Sequence, residues 1–125
     1  MDLGMTKIYK FQDDISTDAL KELEKHSSLA IDTEGSGLQI PHRDKLSLAQ
    51  FSTGNNDAYI IQLNRKSYKA PNIVTILENN KITKIGHYLR YDVSGLEYFL
   101  KCSVKNVFDT KIASKLCRTY SQSHG

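Results

Sequence analysis

The chain has little of what marks several common protein classes. Its 125 residues include only two cysteines, Cys102 and Cys117, without the CxxC spacing of zinc and redox sites. The sequence therefore predicts neither a disulfide framework nor a zinc centre. No apolar run approaches the roughly 18 residues of a membrane-spanning helix, and the first residues lack the apolar core of a signal peptide. These absences predict a cytoplasmic protein that has no membrane association.

Several motifs of common enzyme classes are also missing. The sequence contains no GxGxxG, no P-loop and no GxSxG, so nothing predicts a dinucleotide cofactor or a serine nucleophile. The glycines at 35 and 37 directly follow two carboxylates, where a phosphate cradle is not expected unless a metal lies between. What remains is one small domain of ordinary composition, with 39% hydrophobic and 25% charged residues.

Charge is distributed unevenly along the chain. Residues 1–34 carry 4 basic and 8 acidic side chains (−4), residues 35–100 carry 8 and 5 (+3), and residues 101–125 carry 5 and 1 (+4). Together they give the net charge of +3. We therefore expect a polyanion to be attracted to the later part of the chain.

Hydrophobic periodicity predicts an α/β domain. Strands are predicted at Lys7–Phe11, Leu29–Thr33, Lys45–Ser52, Ala58–Leu63, Ile82–Gly86 and Asn106–Phe108. Helices are predicted from Ser16 or Thr17 to about Lys25, from Pro71 to about Glu78, over His87–Leu100, and after Asp109 with Ile112, Ala113, Leu116 and Cys117 on one face. This order predicts an antiparallel hairpin sheet that is extended by parallel strands.

Two carboxylates end the predicted strand in the stretch LAIDTEGSGLQI. Asp32 and Glu34 are two positions apart on an extended chain, so their side chains point to the same side. Each of two like charges so placed raises the pKa of the other and makes its charged form less stable, unless a cation lies between them. Mg²⁺ or Mn²⁺ would suit such oxygen ligands. The alternative is a strand that ends in solvent, with Asp32 or Thr33 bonding the following glycine turn.

A third carboxylate lies in the helix HYLRYDVSGLEYFL. The apolar stripe of this helix consists of Leu89, Val93, Leu96 and Leu100, and the adjoining stripe of Tyr88, Asp92, Gly95 and Phe99. Asp92 therefore lies beside the apolar face, where an unpaired carboxylate is costly. It is predicted to share a cation site with the first pair. The alternative is a partly exposed Asp92 that pairs with Arg90 or Lys84.

Further polar residues are weaker candidates. Asp109 is interpreted first as the cap of the helix that follows it, with contact to substrate or metal as the second interpretation. His87 follows a strand end and is a candidate phosphate contact or a structural residue. Tyr91 and Tyr120 either support general-base chemistry or pack.

Three segments resemble, in order and spacing, the motifs of DEDD-type 3′–5′ exonucleases: IDTE, HYLRYD and VFDTKIASKL. The sequence resembles the RNase D branch of that family. Four longer segments look like its compact bacterial nano-RNase C type: PHRDKLSLAQFS, KAPNIVTIL, KITKIGHYLRYDV and DTKIASKLCRTYSQSHG. The resemblance spans roughly residues 7–125. It implies a ribonuclease H-like fold, a mixed sheet with helices on its faces.

The resemblance also implies a site and a reaction. Asp32, Glu34 and Asp92 would be the catalytic ligands of two Mg²⁺ or Mn²⁺ ions, and Thr33 and Leu38 would pack near the substrate's 3′ end. A metal-activated water would attack the terminal phosphodiester and release a 5′-mononucleotide. The implied substrates are single-stranded RNA and short oligonucleotides down to dinucleotides, and the implied assembly is a homo-oligomeric ring. His87, Tyr91 and Asp109 complete the predicted substrate contacts.

Two departures from the family pattern change this expectation. Tyr88 stands near the start of the second motif, where Asn is usual, and no tyrosine-plus-aspartate third motif follows Asp109. Residues 1–125 are therefore expected to be the N-terminal part of the family domain: a fragment, a truncated gene product, or a chain completed by a partner copy. The alternative to an exonuclease is a catalytically deficient remnant that binds nucleic acid or only self-associates.

Overall fold

The structure, a computed structural model, describes residues 6–35 and 45–110. The strands in these ranges are β1 (Lys7–Gln12), β2 (Ser28–Gly35), β3 (Leu46–Ser52), β4 (Asp57–Gln62), β5 (Thr83–Gly86) and β6 (Val107–Asp109). The helices are α1 (Thr17–Glu24), α2 (Pro71–Glu78) and α3 (Leu89–Leu100). Across these ranges, no helix has the length and apolar character needed to cross a membrane.

All the described strands belong to one mixed sheet in the order β1-β4-β3-β2-β5-β6. β2, β3 and β4 are antiparallel neighbours, whereas β5 runs parallel to β2 and β6 parallel to β5. β1 runs parallel to β4 at the other edge. The predicted antiparallel hairpin with parallel extensions is confirmed, as is the predicted α/β class.

The hydrophobic core lies between the sheet and the three described helices. Leu29 and Ile31 of β2 are buried in it together with residues of all three helices, whereas the alternating residues Ala30 and Asp32 are exposed. Because side chains alternate along a strand, the helices pack on one face and Asp32 belongs to the other. This alternation places the first carboxylate outside the core.

Side chains from distant segments set where two of the helices begin. α2 begins at Pro71 as predicted, and its N-cap Ala70 has no side chain that could accept a hydrogen bond. Asp14, in the loop before α1, accepts the amides of Asn72 (2.9 Å) and Ile73 (3.0 Å) instead. Such charge-assisted caps typically contribute about 1.5–3 kcal/mol.

Helix α3 begins two residues later than predicted. The predicted range started at His87, but the helix starts at Leu89 because Tyr88 adopts a left-handed conformation with φ of 58°. Tyr88 itself provides no side-chain cap. The helix predicted after Asp109 concerns residues 111–125, outside the described residues.

Candidate active site

Strand β2 presents Asp32 and Glu34 on the sheet face opposite the core. In register with them across β3 are Gln50 and Leu48. A cavity of about 80 Å³ is lined by Asp32, Thr33, Glu34, Leu48, Gln50 and Ile60. The two carboxylates therefore border a small depression whose floor is partly apolar.

Local hydrogen bonds fix the end of this strand. Oδ1 of Asp32 accepts the amide of Thr33 at 2.9 Å, and the Ser47 hydroxyl donates to the carbonyl of Glu34 at 3.0 Å. The register of the pairing with β3 shifts between Glu34 and Gly35, so the ladder is irregular at the end of the strand. The alternative contact with the glycine turn concerns residues beyond Gly35 that lie outside the described ranges.

Asp92 approaches the same strand from the core side. It lies in the first turn of α3, is 9% exposed, and accepts a short hydrogen bond from the Thr33 hydroxyl. Burial raises the pKa of Asp92 above its usual value. The hydrogen bonds from Thr33 oppose this shift, and the negative charges of Asp32 and Asp109 reinforce it. The third predicted carboxylate therefore contacts the residue between the first two.

Neither of the two cations considered as alternative partners of Asp92, Lys84 and Arg90, forms an ion pair with it. Lys84 is fully buried, and its ammonium donates to the carbonyls of Asn79 (2.6 Å) and Lys105 (2.9 Å). Within the described residues, Arg90 is exposed and neither it nor Lys84 forms an ion pair with Asp92. The charge of Asp92 is thus left without a neighbouring cation from the described part of the chain.

Asp109 contacts the start of α3. Its Oδ1 accepts the amide of Tyr88 at 3.1 Å and its Oδ2 the amide of Leu89 at 2.9 Å. The sequence interpretation gave Asp109 first to the helix after it, whose residues 111–125 are outside the described ranges. Capping of α3 from β6 was not predicted, because the partners are about twenty positions apart.

The outer side of the first turns of α3 forms a second, larger depression. It has a volume of about 340 Å³ and is lined by Tyr88, Arg90, Tyr91 and Ser94. Tyr88 is 57% and Tyr91 46% exposed, so their rings face this surface rather than the core. His87 precedes it and its Nδ1 lies 3.2 Å from the Thr110 hydroxyl oxygen. Of the predicted substrate contacts, Tyr91 therefore lies in this depression, whereas His87 lies beside Thr110.

The structure describes most of the predicted site residues but does not bring them all into one site. Leu38 and Tyr120 lie outside the described residues. Among residues 6–35 and 45–110, no group of three or more His, Cys, Asp and Glu side chains is arranged to hold a metal ion. The physical reason is the alternation along β2: Asp32 and Glu34 point to the open face, whereas Thr33 turns toward Asp92. The arrangement is a carboxylate pair with a third carboxylate held beside it.

Sequence reasoning missed the residues that complete the surroundings of the pair. Gln50 and Ile60 line the cavity only because β3 and β4 pair in this register. Register across strands has no signal in a single sequence beyond the alternation of apolar residues. Arg90 carries a signal in the sequence, as a cation beside a candidate carboxylate, but that signal predicts an ion pair with Asp92 and not a substrate contact.

Comparisons with known proteins confirm the predicted ribonuclease H-like α/β fold. The sequence profile of a family described as 3′–5′ exonuclease matches residues 9–125. NrnC from Brucella melitensis is 40% identical with a TM-score of 0.84, over 96% of this chain and 57% of NrnC. NrnC has also been solved with bound Mg²⁺ and bound to pGG. No curated protein sequence matches the chain significantly.

More distant structures share the fold alone. The catalytic core of RRP6 from Trypanosoma brucei is 19% identical with a TM-score of 0.69, over 98% of this chain and 37% of RRP6. The exonuclease domain of EXD2 is 21% identical with a TM-score of 0.72, over 95% of this chain and 63% of that domain structure. The chain spans about 57% of the length of NrnC.

Proposed function

Because the chain belongs to the 3′–5′ exonuclease family, we propose that it is part of a metal-dependent exoribonuclease. It would remove 5′-mononucleotides from the 3′ ends of short RNAs, down to dinucleotides. The observation that carries this proposal is the position of Asp92, a nearly buried carboxylate hydrogen-bonded to the residue between Asp32 and Glu34. Residues 1–125 are assigned to one domain, as part of the family domain.

The donor chemistry fits Mg²⁺ or Mn²⁺. Hard divalent ions take carboxylate oxygens, and Mg²⁺ is commonly held by one or two carboxylates with the remaining positions filled by water and substrate phosphate. Asp32 and Glu34 provide such a pair at the cavity, and Asp92 is the third ligand we assign. The ions would neutralise phosphate charge and activate water for hydrolysis. Two ions are proposed, as in the family pattern, and the NrnC structure with Mg²⁺ supports a divalent cofactor.

Other residues of the chain are assigned to positioning Asp92 and to binding the substrate. Thr33 orients Asp92 through its hydroxyl, and Leu48 and Ile60 give the cavity apolar walls. We assign Thr33 and Leu38 to the surroundings of the 3′ nucleotide, and His87, Tyr91 and Asp109 remain candidate substrate contacts. Arg90 joins them, because its exposed guanidinium lies with Tyr91 in one depression. Aromatic rings and a cation together suit bases and phosphates of a single strand.

The proposed substrate class is single-stranded RNA and short oligonucleotides. The NrnC structure bound to pGG supports this class. Self-association is also proposed, since the outer strands of the described sheet expose apolar side chains: Ile8 on β1 is 54% exposed and Phe108 on β6 is 50% exposed. Sedimentation of the purified chain over a concentration range tests this assembly. The cytoplasmic location stays a prediction.

A catalytically deficient remnant is the second candidate. It is favoured by the lack, within the described residues, of a group of three side chains arranged for a metal. Such a chain would bind RNA through the depression at Arg90 and Tyr91 of α3, or only self-associate, and would leave the phosphodiester intact.

A Mn²⁺ titration with a 5′-labelled dinucleotide and a short single-stranded RNA tests both candidates. Stepwise loss of 3′ nucleotides that requires Mn²⁺ and is abolished in Asp32→Ala is expected. Asp18→Ala is the matched control, because Asp18 is an exposed carboxylate on α1. Binding without turnover at high protein concentration would support the remnant and overturn the exonuclease.

A further inference from the structure

The end of β6 contacts the junction between β5 and α3 at four consecutive residues. The Asp109 carboxylate accepts the amides of Tyr88 and Leu89 at 3.1 and 2.9 Å. The neighbouring Thr110 hydroxyl donates to the carbonyl of Gly86 at 3.1 Å and lies 3.2 Å from Nδ1 of His87. We call Asp109 and Thr110 together the β6 latch.

The junction needs an external acceptor. The first amides of a helix have no intrahelical partner, and the side chain of the N-cap residue Tyr88 does not cap them. A carboxylate at this position satisfies two amides with charge-assisted bonds and interacts favourably with the helix dipole. Both oxygens of Asp109 are used in this way. The carboxylate is thereby directed at the helix start.

The junction is also packed tightly on β2. A Cβ on Gly86 would lie 2.5 Å from Cδ2 of Leu89 and 3.0 Å from the carbonyl oxygen of Ile31. Ile31 directly precedes Asp32 on the strand. One short segment therefore contacts the strand of the first carboxylate on one side and the β6 latch on the other, and Asp92 follows in the next turn.

We propose that Asp109 is a positioning residue of the exonuclease site. The β6 latch holds the first turn of α3 at the place where Asp92 meets the hydroxyl of Thr33, and it does so without contacting RNA. This inference rests on the proposed function. It replaces substrate contact as the role of Asp109, and it adds Thr110, which had no assigned role.

The chain supplies a matched control in Asp14. Its carboxylate makes the same type of contact, accepting the amides of Asn72 and Ile73 at the start of α2. α2 carries none of the candidate site residues. Asp14→Ala and Asp109→Ala therefore remove equivalent caps, one of them remote from the carboxylates.

The test compares Asp109→Ala, Asp109→Asn and Thr110→Val with Asp14→Ala in the full 125-residue chain. At a temperature where all are folded, Asp109→Ala is expected to lower kcat about 10- to 100-fold with little change in KM, because small misplacements of reacting groups are costly. Mn²⁺ binding by calorimetry should weaken in parallel. Asp109→Asn, which keeps an acceptor, should recover part of the loss, and Asp14→Ala should leave kcat, KM and Mn²⁺ binding unchanged.

Three outcomes overturn the positioning role. A raised KM with unchanged kcat would make Asp109 a substrate contact. Equal effects of Asp14→Ala and Asp109→Ala would leave only a stabilising cap. The third uses hydrogen exchange of the amides from Leu89 to Asp92 in metal-free buffer. Loss of protection in Asp109→Ala is expected, and unchanged protection sinks the proposal.

Exchange also separates this inference from the proposed function. If the wild-type chain hydrolyses no RNA, the exonuclease proposal fails, while exchange still reports whether Asp109 holds the first turn of α3. If Asp109→Ala does not fold, Asp109→Asn and Thr110→Val provide the same kinetic and exchange comparison.

Discussion

The hydroxyl of Thr33 on β2 donates a hydrogen bond to the carboxylate of Asp92 on α3, 59 positions further along the chain. This contact joins the strand of the carboxylate pair to the helix of the third carboxylate. Burial, reinforced by the negative charges of Asp32 and Asp109, raises the pKa of Asp92 above its usual value. The ionised form of Asp92 therefore carries a free-energy cost in the metal-free folded chain.

Asp92→Asn is expected to stabilise the metal-free chain at neutral pH. Because the folded-state pKa of Asp92 is raised above its unfolded value, wild-type stability is highest below the unfolded pKa and falls as pH rises through the folded one. Asn removes the charge and keeps an acceptor for Thr33. An increase of about 0.5–2 kcal/mol in the free energy of unfolding is expected, measured by urea unfolding in EDTA from pH 4 to 8.

Asp18→Asn is the control for this substitution, because Asp18 is exposed. Added Mn²⁺ should raise the Tm of wild type and not that of Asp92→Asn. If Asp92→Asn is less stable than wild type at pH 7, the ionised carboxylate of Asp92 does not destabilise the metal-free chain, and this prediction is wrong.

Gly86→Ala is expected to destabilise the chain and to lower RNA hydrolysis. The new Cβ would lie 3.0 Å from the backbone oxygen of Ile31 and 2.5 Å from Cδ2 of Leu89, so the side chain of Leu89 at the start of α3 must move. Overpacking of this kind typically costs about 1–3 kcal/mol. Thermal unfolding and kcat measure the two effects.

Gly54→Ala is a useful contrast. Gly54 has φ of 91° in an open turn with no heavy atom within 4 Å of an added Cβ, so its substitution costs about 1 kcal/mol through the backbone. It should leave kcat unchanged below the Tm. Normal kcat in Gly86→Ala would mean that the junction does not set the carboxylate geometry.

Lys84→Met is expected to change how stability depends on pH. Burial lowers the pKa of Lys84 from 10.5 to about 8. A lysine with a lowered folded-state pKa destabilises the fold below that pKa, and this effect is lost as pH rises toward the unfolded value. Wild type should therefore gain free energy of unfolding relative to Lys84→Met between pH 8 and 10, by about 1.4 kcal/mol per pH unit at most.

Urea unfolding at pH 7, 8, 9 and 10 measures this difference, with Lys81→Met as the exposed control. The substitution also removes two donors to the carbonyls of Asn79 and Lys105, which shifts the absolute stability but not its slope. Parallel pH profiles for wild type and Lys84→Met would show that the ammonium is not desolvated.

Arg90→Ala is expected to weaken RNA binding without slowing the chemical step. The exposed guanidinium lies with Tyr91 in the depression of about 340 Å³. Loss of one phosphate contact should raise KM. It should also make the fall of the logarithm of the RNA-binding constant with the logarithm of the salt concentration less steep, by about one unit of slope. Kinetics at 50–200 mM salt measure both. Lys21→Ala, an exposed cation on α1, is the control, and equal effects of the two variants would remove Arg90 from the binding surface.

Much of the fold could be predicted because its signals are local. Pro71 fixes the start of α2, Ser16 caps α1 by accepting the amide of Ala19 at 3.1 Å, and strand alternation places Asp32 and Glu34 on one side. The predicted start of α3, His87, was wrong by two residues, since the helix begins at Leu89. Tyr88 has a left-handed backbone conformation, and its amide donates to Asp109. Asp109 lies on β6, 21 positions further along the chain, so the pattern around Tyr88 does not reveal this contact.

The candidate site divides along the same line. The sequence by itself determined the carboxylate types, the shared side of Asp32 and Glu34, and the helix that carries Asp92, because the periods of strands and helices act over a few residues. Only the tertiary structure decided that Thr33 holds Asp92, that Lys84 bonds backbone carbonyls, and that Asp109 caps α3. These contacts join segments 20 or more positions apart or depend on burial, and packing of the sheet against the helices selects them.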